Sequence, residues 1–233
     1  MKKILLIYFL SFHAISELTL EITQGTEDPY RVAIIKFSGA DKVTTDIQKV
    51  VFDNLLRTGE FTIFNNEDLL SIPQIEEDIV FNDFRILDID FLVMGKIEDD
   101  WLNIAVEYQV FDISKAKKIR TSTVYGIPNK NRQLAHYVSD GIYQEITGIP
   151  GIASTKILYV TEDNNFKLLI SDADGSNEQV LLESTEPIIS PSWSPDSKKV
   201  AYVSFETGIA KVYIQDIASG NREVAVENSS QIS

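Results

Sequence analysis

The 233-residue chain contains no cysteine, so disulfide staples, thiolate metal sites and thiol nucleophiles are excluded and rigidity has to come from packing. Histidine is scarce as well, with only His13 and His136. With no cysteine and no Gly-x-Ser-x-Gly turn, the usual nucleophile arrangements have nothing to build on, and no catalytic residue is assigned. Cations are few: 21 Lys and Arg against 35 Asp and Glu leave a formal net charge of −14, which repels a phosphate backbone and argues against a nucleic-acid partner. No apolar run approaches the roughly 20 residues of a membrane-spanning helix.

What is present is enough apolar residue, 44%, to bury a core. The first sixteen residues place Lys2 and Lys3 ahead of an apolar run from Ile4 to Phe12, then Ala14 and Ser16 at the −3 and −1 positions before Glu17. That is the pattern of a cleaved secretory signal peptide over residues 1–16. Its removal takes two lysines and no acid, so the mature chain is more acidic still, and an exported protein is expected.

The next stretch alternates Leu18, Leu20 and Ile22 with Thr19, Glu21 and Thr23, the period-2 signature of a strand with one apolar face, before Gly25 and Pro29 break it. Arg31 to Phe37 is more continuously apolar and reads as a central strand covered on both faces. A helix follows, with Thr45 and Gln48 as a capping box, Ile47, Val50, Val51 and Leu55 as its buried stripe and Gly59 as its stop. Further elements are a strand at Glu60 to Asn65, a short helix at Phe81 to Leu87 and a strand at Phe91 to Gly95. The acidic run Glu98, Asp99 and Asp100 reads as a polar turn. Trp101 to Asp112 and Ile119 to Tyr125 read as a hairpin whose tip carries the solvated Lys115, Lys117 and Lys118. The last helix, Arg132 to Thr147, buries Leu134, Val138, Ile142 and Ile146 and stops at Gly148; His136 lies off that stripe and reads as solvent-facing. Strands and helices interleaved in this way make residues 30–149 one α/β or α+β domain.

From Pro150-Gly151 onward the pattern changes to short strands and polar turns. Lys156-Ile-Leu-Tyr-Val160 recurs as Lys199-Val-Ala-Tyr-Val203, an offset of 43, and Ile170-Ser-Asp172 recurs as Ile214-Gln-Asp216, an offset of 44. A period of that length with several strands per unit signals propeller blades over residues 155–233. The segment from Asp172 to Asn177 spaces carboxylates like a calcium loop, with Glu183 at the twelfth place. Asn177, however, holds the sixth place, where the bend needs glycine, so a tight turn is expected and neither a metal nor another cofactor is assigned. Trp193 and Tyr202 read as blade packing.

Five segments then carry a resemblance: Ile146-Thr-Gly-Ile-Pro-Gly151, Ile157-Leu-Tyr-Val160, Ser171-Asp-Ala-Asp-Gly175, Pro191-Ser-Trp-Ser-Pro-Asp196 and Ala201-Tyr-Val-Ser-Phe205. In this order and spacing they resemble the TolB family, soluble periplasmic components of the Tol-Pal system. Leu87 to Gly95 and Tyr108 to Asp112 are similar to that family's strands too. The resemblance implies a non-catalytic adaptor with a six-bladed propeller, acting in envelope integrity and cell division. It implies that the propeller binds the lipoprotein Pal and that the extreme N-terminus binds the C-terminal domain of TolA. Here that segment is the arm 17–29, with Glu17, Leu18, Thr19, Leu20, Glu21, Ile22 and Thr23 as expected partner-binding residues; on physical grounds a short alternating strand can add to a partner's sheet edge or, equally, serve as an edge strand of its own domain. At a 43-residue period the 79 residues from Thr155 to Ser233 give just under two of the six blades. The expectation is an incomplete propeller, and no Pal-binding residue is assigned. The alternative reading is an exported propeller-containing hydrolase or carbohydrate-binding protein that lost its other domain.

Overall fold

A computed structural model describes residues 28–40, 45–99 and 102–227. The expected signal peptide and the partner-binding residues 17–23 lie outside the described residues. Among those described, no helix is long and apolar enough to cross a membrane.

The first part is a five-stranded mixed sheet. Strands β1 (Tyr30–Ile34), β2 (Phe61–Phe64), β3 (Phe91–Asp99), β4 (Ile104–Asp112) and β5 (Lys117–Gly126) are ordered β2-β1-β3-β4-β5. β1 is parallel to both β2 and β3, while β3, β4 and β5 run antiparallel in a meander. Alternation along β1 explains its apolar run: Val32 and Ile34 enter the core on one face, Ala33 and Ile35 the core on the other. The first face is covered by α1 (Ile47–Arg57) and α3 (Asn131–Thr147), whose predicted stripes are all buried. The second is covered by the segment from Asn65 to Asp90, which contains the short helix α2 (Phe81–Ile86).

Two local expectations need correction. The cap of α1 is Asp46, whose Oδ1 accepts from the Lys49 amide at 2.9 Å, rather than the Thr45 and Gln48 box. Gln48 instead donates from Nε2 to the Ile34 carbonyl, tying helix to sheet. Glu98 and Asp99 are not a turn but the end of β3, paired with Ala105 and Ile104 of β4.

Beyond α3 the chain forms two antiparallel sheets. β6 (Lys156–Glu162), β7 (Phe166–Asp172) and β8 (Gln179–Ser184) make the first; β9 (Ile188–Trp193), β10 (Lys199–Ser204), β11 (Lys211–Asp216) and β12 (Arg222–Glu227) make the second. The repeats seen in the sequence superpose β6 on β10 and β7 on β11, so these are successive blades of an incomplete propeller. They share a core of Leu168, Ile188, Val200, Tyr202 and Tyr213, with Trp193 packed against it. Trp193 and Tyr202 are therefore blade packing, as expected.

Helix and sheet approach closely at Gly141, in the interior of α3. A Cβ there would stand 2.0 Å from the Tyr108 hydroxyl oxygen and 2.9 Å from its ring carbon Cζ. Alanine normally improves on glycine inside a helix by about 1 kcal/mol. Here Gly141→Ala is expected to destabilise by about 1–3 kcal/mol through overpacking against the buried Tyr108. Adding Tyr108→Phe should recover part of the loss. Thermal unfolding of the single and double variants tests this; a more stable Gly141→Ala protein would contradict it.

Candidate functional site

α3 does more than cover the sheet, because Arg132 and His136 in its first half meet the turn after β7 of the first blade. His136, expected at the surface, is 2% exposed. Its ring touches Asn54 of α1 on one side and faces the turn after β7 on the other. Helical periodicity within α3 gives no reason for its burial; the blade supplies the cover.

The hydrogen bonds around His136 determine its proton. Arg57 can only donate, and it donates to Asn54 Oδ1 at 3.2 Å, which fixes the Asn54 amide. Asn54 Nδ2 then donates to Ser139 Oγ at 2.9 Å and lies 2.9 Å from His136 Nδ1. Ser139 Oγ donates its own hydrogen bond to the Ala135 carbonyl at 2.8 Å. His136 Nδ1 must therefore accept, and the neutral ring carries its proton on Nε2. Nε2 is buried without a hydrogen-bond partner, 3.7 Å from an oxygen of Asp172 and 3.7 Å from one of Asp174.

Both aspartates come from the turn between β7 and β8. The Gly175 amide donates to the Asp172 carbonyl at 2.9 Å and Gly175 has φ +79°, so the expected tight turn is present. Its side chains do not point to solvent. Asp174, with a side chain 1% exposed, accepts from Arg132 Nε at 3.0 Å and from Arg132 Nη2, and its other oxygen takes the Ser176 amide and hydroxyl. Asp172 accepts from Lys156 Nζ and from Asn177. Burial alone would raise both carboxyls; hydrogen bonds and the adjacent cations outweigh it, holding Asp172 below the usual carboxylate range and Asp174 at about 2. For His136 burial is the largest influence and lowers its pKa, against the pull of the two aspartates. The hydrogen-bond pattern acts in the same direction, since a proton on Nδ1 would face the Asn54 amide donor.

His136, Asp172 and Asp174 each offer one atom within 4.8 Å of the others, a spacing that a cation could bridge. The donor set suits an internal network better. Each carboxylate already has its own cation, and the histidine presents N–H rather than a lone pair to the centre.

The segment joining α3 to β6 is fixed against the same helix. Asp140 accepts the Ala153 amide at 2.6 Å and the Ser154 amide at 3.0 Å. A Cβ on Gly151 would lie 2.5 Å from the Asp140 Cα, so only glycine allows this approach. Beside it opens a mainly apolar cleft of about 320 Å³, bordered by Leu55, Tyr143, Ile149, Pro150 and Ile152.

Because the folded form resists protonating His136, linkage has a definite sign. Its stabilisation is complete above the ordinary histidine value near 6.5 and is lost as pH falls through the lower folded value. Asp174 acts in a separate window, losing its contribution only from about pH 4 down toward 2. The urea midpoint is thus expected to fall on acidification from pH 7 to 5, and His136→Gln should remove that slope. A flat wild-type profile, or an equal slope in the variant, would contradict the assignment.

Comparison with known proteins matches this architecture. Residues 18–119 match a family model described as the TolB amino-terminal domain, and residues 143–232 one described as the TolB beta propeller domain. The Tol-Pal system protein TolB of Alcanivorax borkumensis is 38% identical over 214 residues, covering 89% of this chain and 49% of that protein. That of Alkalilimnicola ehrlichii is 36% identical over 212 residues, covering 88% and 50%. Among solved structures, TolB from Acinetobacter baumannii aligns with a TM-score of 0.78 at 34% identity, covering 88% of this chain and 51% of that one. The chain spans about half the length of the relatives it matches. With both family models matched in order and the fold shared with a solved member, the chain belongs to the TolB family.

Proposed function

We propose that this chain acts as a non-catalytic adaptor in the periplasm, linking the inner-membrane Tol complex to the outer envelope and thereby supporting envelope integrity and cell division. Residues 1–16 serve as the export signal, 17–29 as a partner-binding arm, 30–149 as the α/β domain and 155–233 as propeller. The observation that carries this reading is the junction built from Arg132, His136, Asp172 and Asp174. It holds the sheet-and-helix layer and the first blade in one relative position. An adaptor needs its docking surfaces kept in fixed geometry, whereas the junction's polar groups are spent on one another rather than aimed at a substrate.

In this reading the contact to the C-terminal domain of TolA is made by the arm, with Leu18, Leu20 and Ile22 filling pockets while the main chain extends a sheet edge of the partner. Contact with Pal belongs to the whole propeller of the family, and no residue described here is assigned to it. Deleting residues 17–28 is expected to abolish binding of the TolA C-terminal domain, measured by calorimetry, while thermal unfolding stays unchanged. Retained binding would overturn the assignment of the arm.

A further inference from the structure

The layer over the second face of the sheet is apolar on both of its sides. Between Asn65 and Leu87 the chain sends Leu69, Ile79, Phe81 and Phe84 inward onto the core, and Pro73 is buried with them. The intervening residues point the other way: Leu70, Ile72, Ile75, Val80 and Ile86 are 60%, 43%, 56%, 51% and 63% exposed. The segment is anchored rather than loose, since Glu76 pairs with Lys118 of β5 and Arg85 reaches the Ser114 carbonyl. Singly scattered apolar side chains on a surface are ordinary. Five within seventeen residues of one anchored layer are not.

Charge decides what such a surface accepts. From Thr58 to Phe84 the chain has no lysine or arginine, and it carries Glu60, Glu67, Asp68, Glu76, Glu77, Asp78 and Asp83. Glu76 is paired with Lys118 and Asp68 accepts the Asn65 amide. Glu67, Glu77, Asp78 and Asp83 have no cationic partner among the described residues. Like charge disfavours a second copy of this chain, whose net charge is −14. It disfavours the chain's own arm as well, because residues 17–29 hold Glu17, Glu21, Glu27 and Asp28 and no base. The same sign argues against an anionic lipid surface.

We propose that this face is a docking surface for a protein partner presenting an amphipathic helix, its apolar stripe flanked by lysine or arginine. The apolar side chains supply contact area and the unpaired carboxylates supply orientation and rate. The site lies on the opposite side of the sheet from α1, α3 and the blades, so it can be occupied independently of the junction.

The test uses a labelled 18-residue helical peptide of leucine and lysine with its leucines on one face, and a scrambled peptide of the same composition. Anisotropy titrations of the whole chain should give saturable binding that weakens with salt. The scrambled peptide should bind at least about tenfold more weakly, because it cannot bring its apolar side chains to one face. Leu70→Ser, Ile72→Ser and Ile75→Ser together should also cost at least about tenfold, since buried apolar area is lost. The blade triple Ile209→Ser, Glu223→Gln and Val224→Ser should stay within about twofold, as its residues lie outside the surface. Unchanged melting temperature in both triples shows that the fold is intact. Equal binding of the scrambled peptide, or unchanged binding by the Leu70, Ile72 and Ile75 triple, would mean that net charge alone attracts the peptide. An equal loss in the blade triple would mean that the peptide is not held at this face. In either case the proposal fails.

Discussion

Two carboxylates from one turn, Asp172 and Asp174, lie buried against α3, and each is tolerable there because a cation meets it. An unpaired charge in that position would cost several kcal/mol. Arg132 and Lys156 prevent this from opposite sides, one from the helix and one from the first blade strand. Asp172 is met within the blade, but Asp174 finds its cation only when helix and blade are correctly apposed. Paired buried charges add little stability over well-packed apolar groups, but they penalise misaligned arrangements heavily. At this junction they act mainly to select one geometry.

Several other features depend on that geometry. His136 is desolvated because the blade covers it, and its tautomer is fixed through Asn54 by Arg57, so the network spans α1, α3 and the β7–β8 turn. Asp140 and Gly151 hold the connecting segment close to α3, which shortens the effective tether and favours re-formation of the contacts. The exposed apolar layer on the far side of the sheet takes no part in this. The chain thus separates a side that orients the blades from a side that remains free.

Much of this was legible in the sequence, and the misses share one cause. Strong periodicity located α1, α3 and the alternating strands because each buries its face within its own layer, and a repeat near 43 residues identified the blades. His136 was misplaced because helical periodicity reports burial against the sheet, while its cover comes from a strand turn more than thirty residues later. The turn itself was read correctly from its Asp, Gly and Asn residues, but its side chains were not. A signal was available in the repeat. Asp172 matches Asp216, which accepts the Ser219 amide in an ordinary turn, whereas Asp174 matches Ala218. An acid present in only one blade is a residue that the turn does not require. The cap of α1 was misassigned by one residue because Gln48 is drawn to the Ile34 carbonyl, a tertiary contact that competes with the local box. Residues 17–27 of the arm, which carries the proposed contact with TolA, lie outside the described residues.

The central claim is that the charge network makes the α/β layer and the blades one cooperative unit. Urea unfolding followed by two probes tests it, in a Trp101→Phe background that leaves Trp193 as the blade reporter while far-ultraviolet circular dichroism follows α1, α2 and α3, which precede the blades. Coincident transitions are expected in this parent and two separated transitions once Asp174→Ala is added. Separate transitions in the parent, or coincidence that survives the substitution, would contradict it.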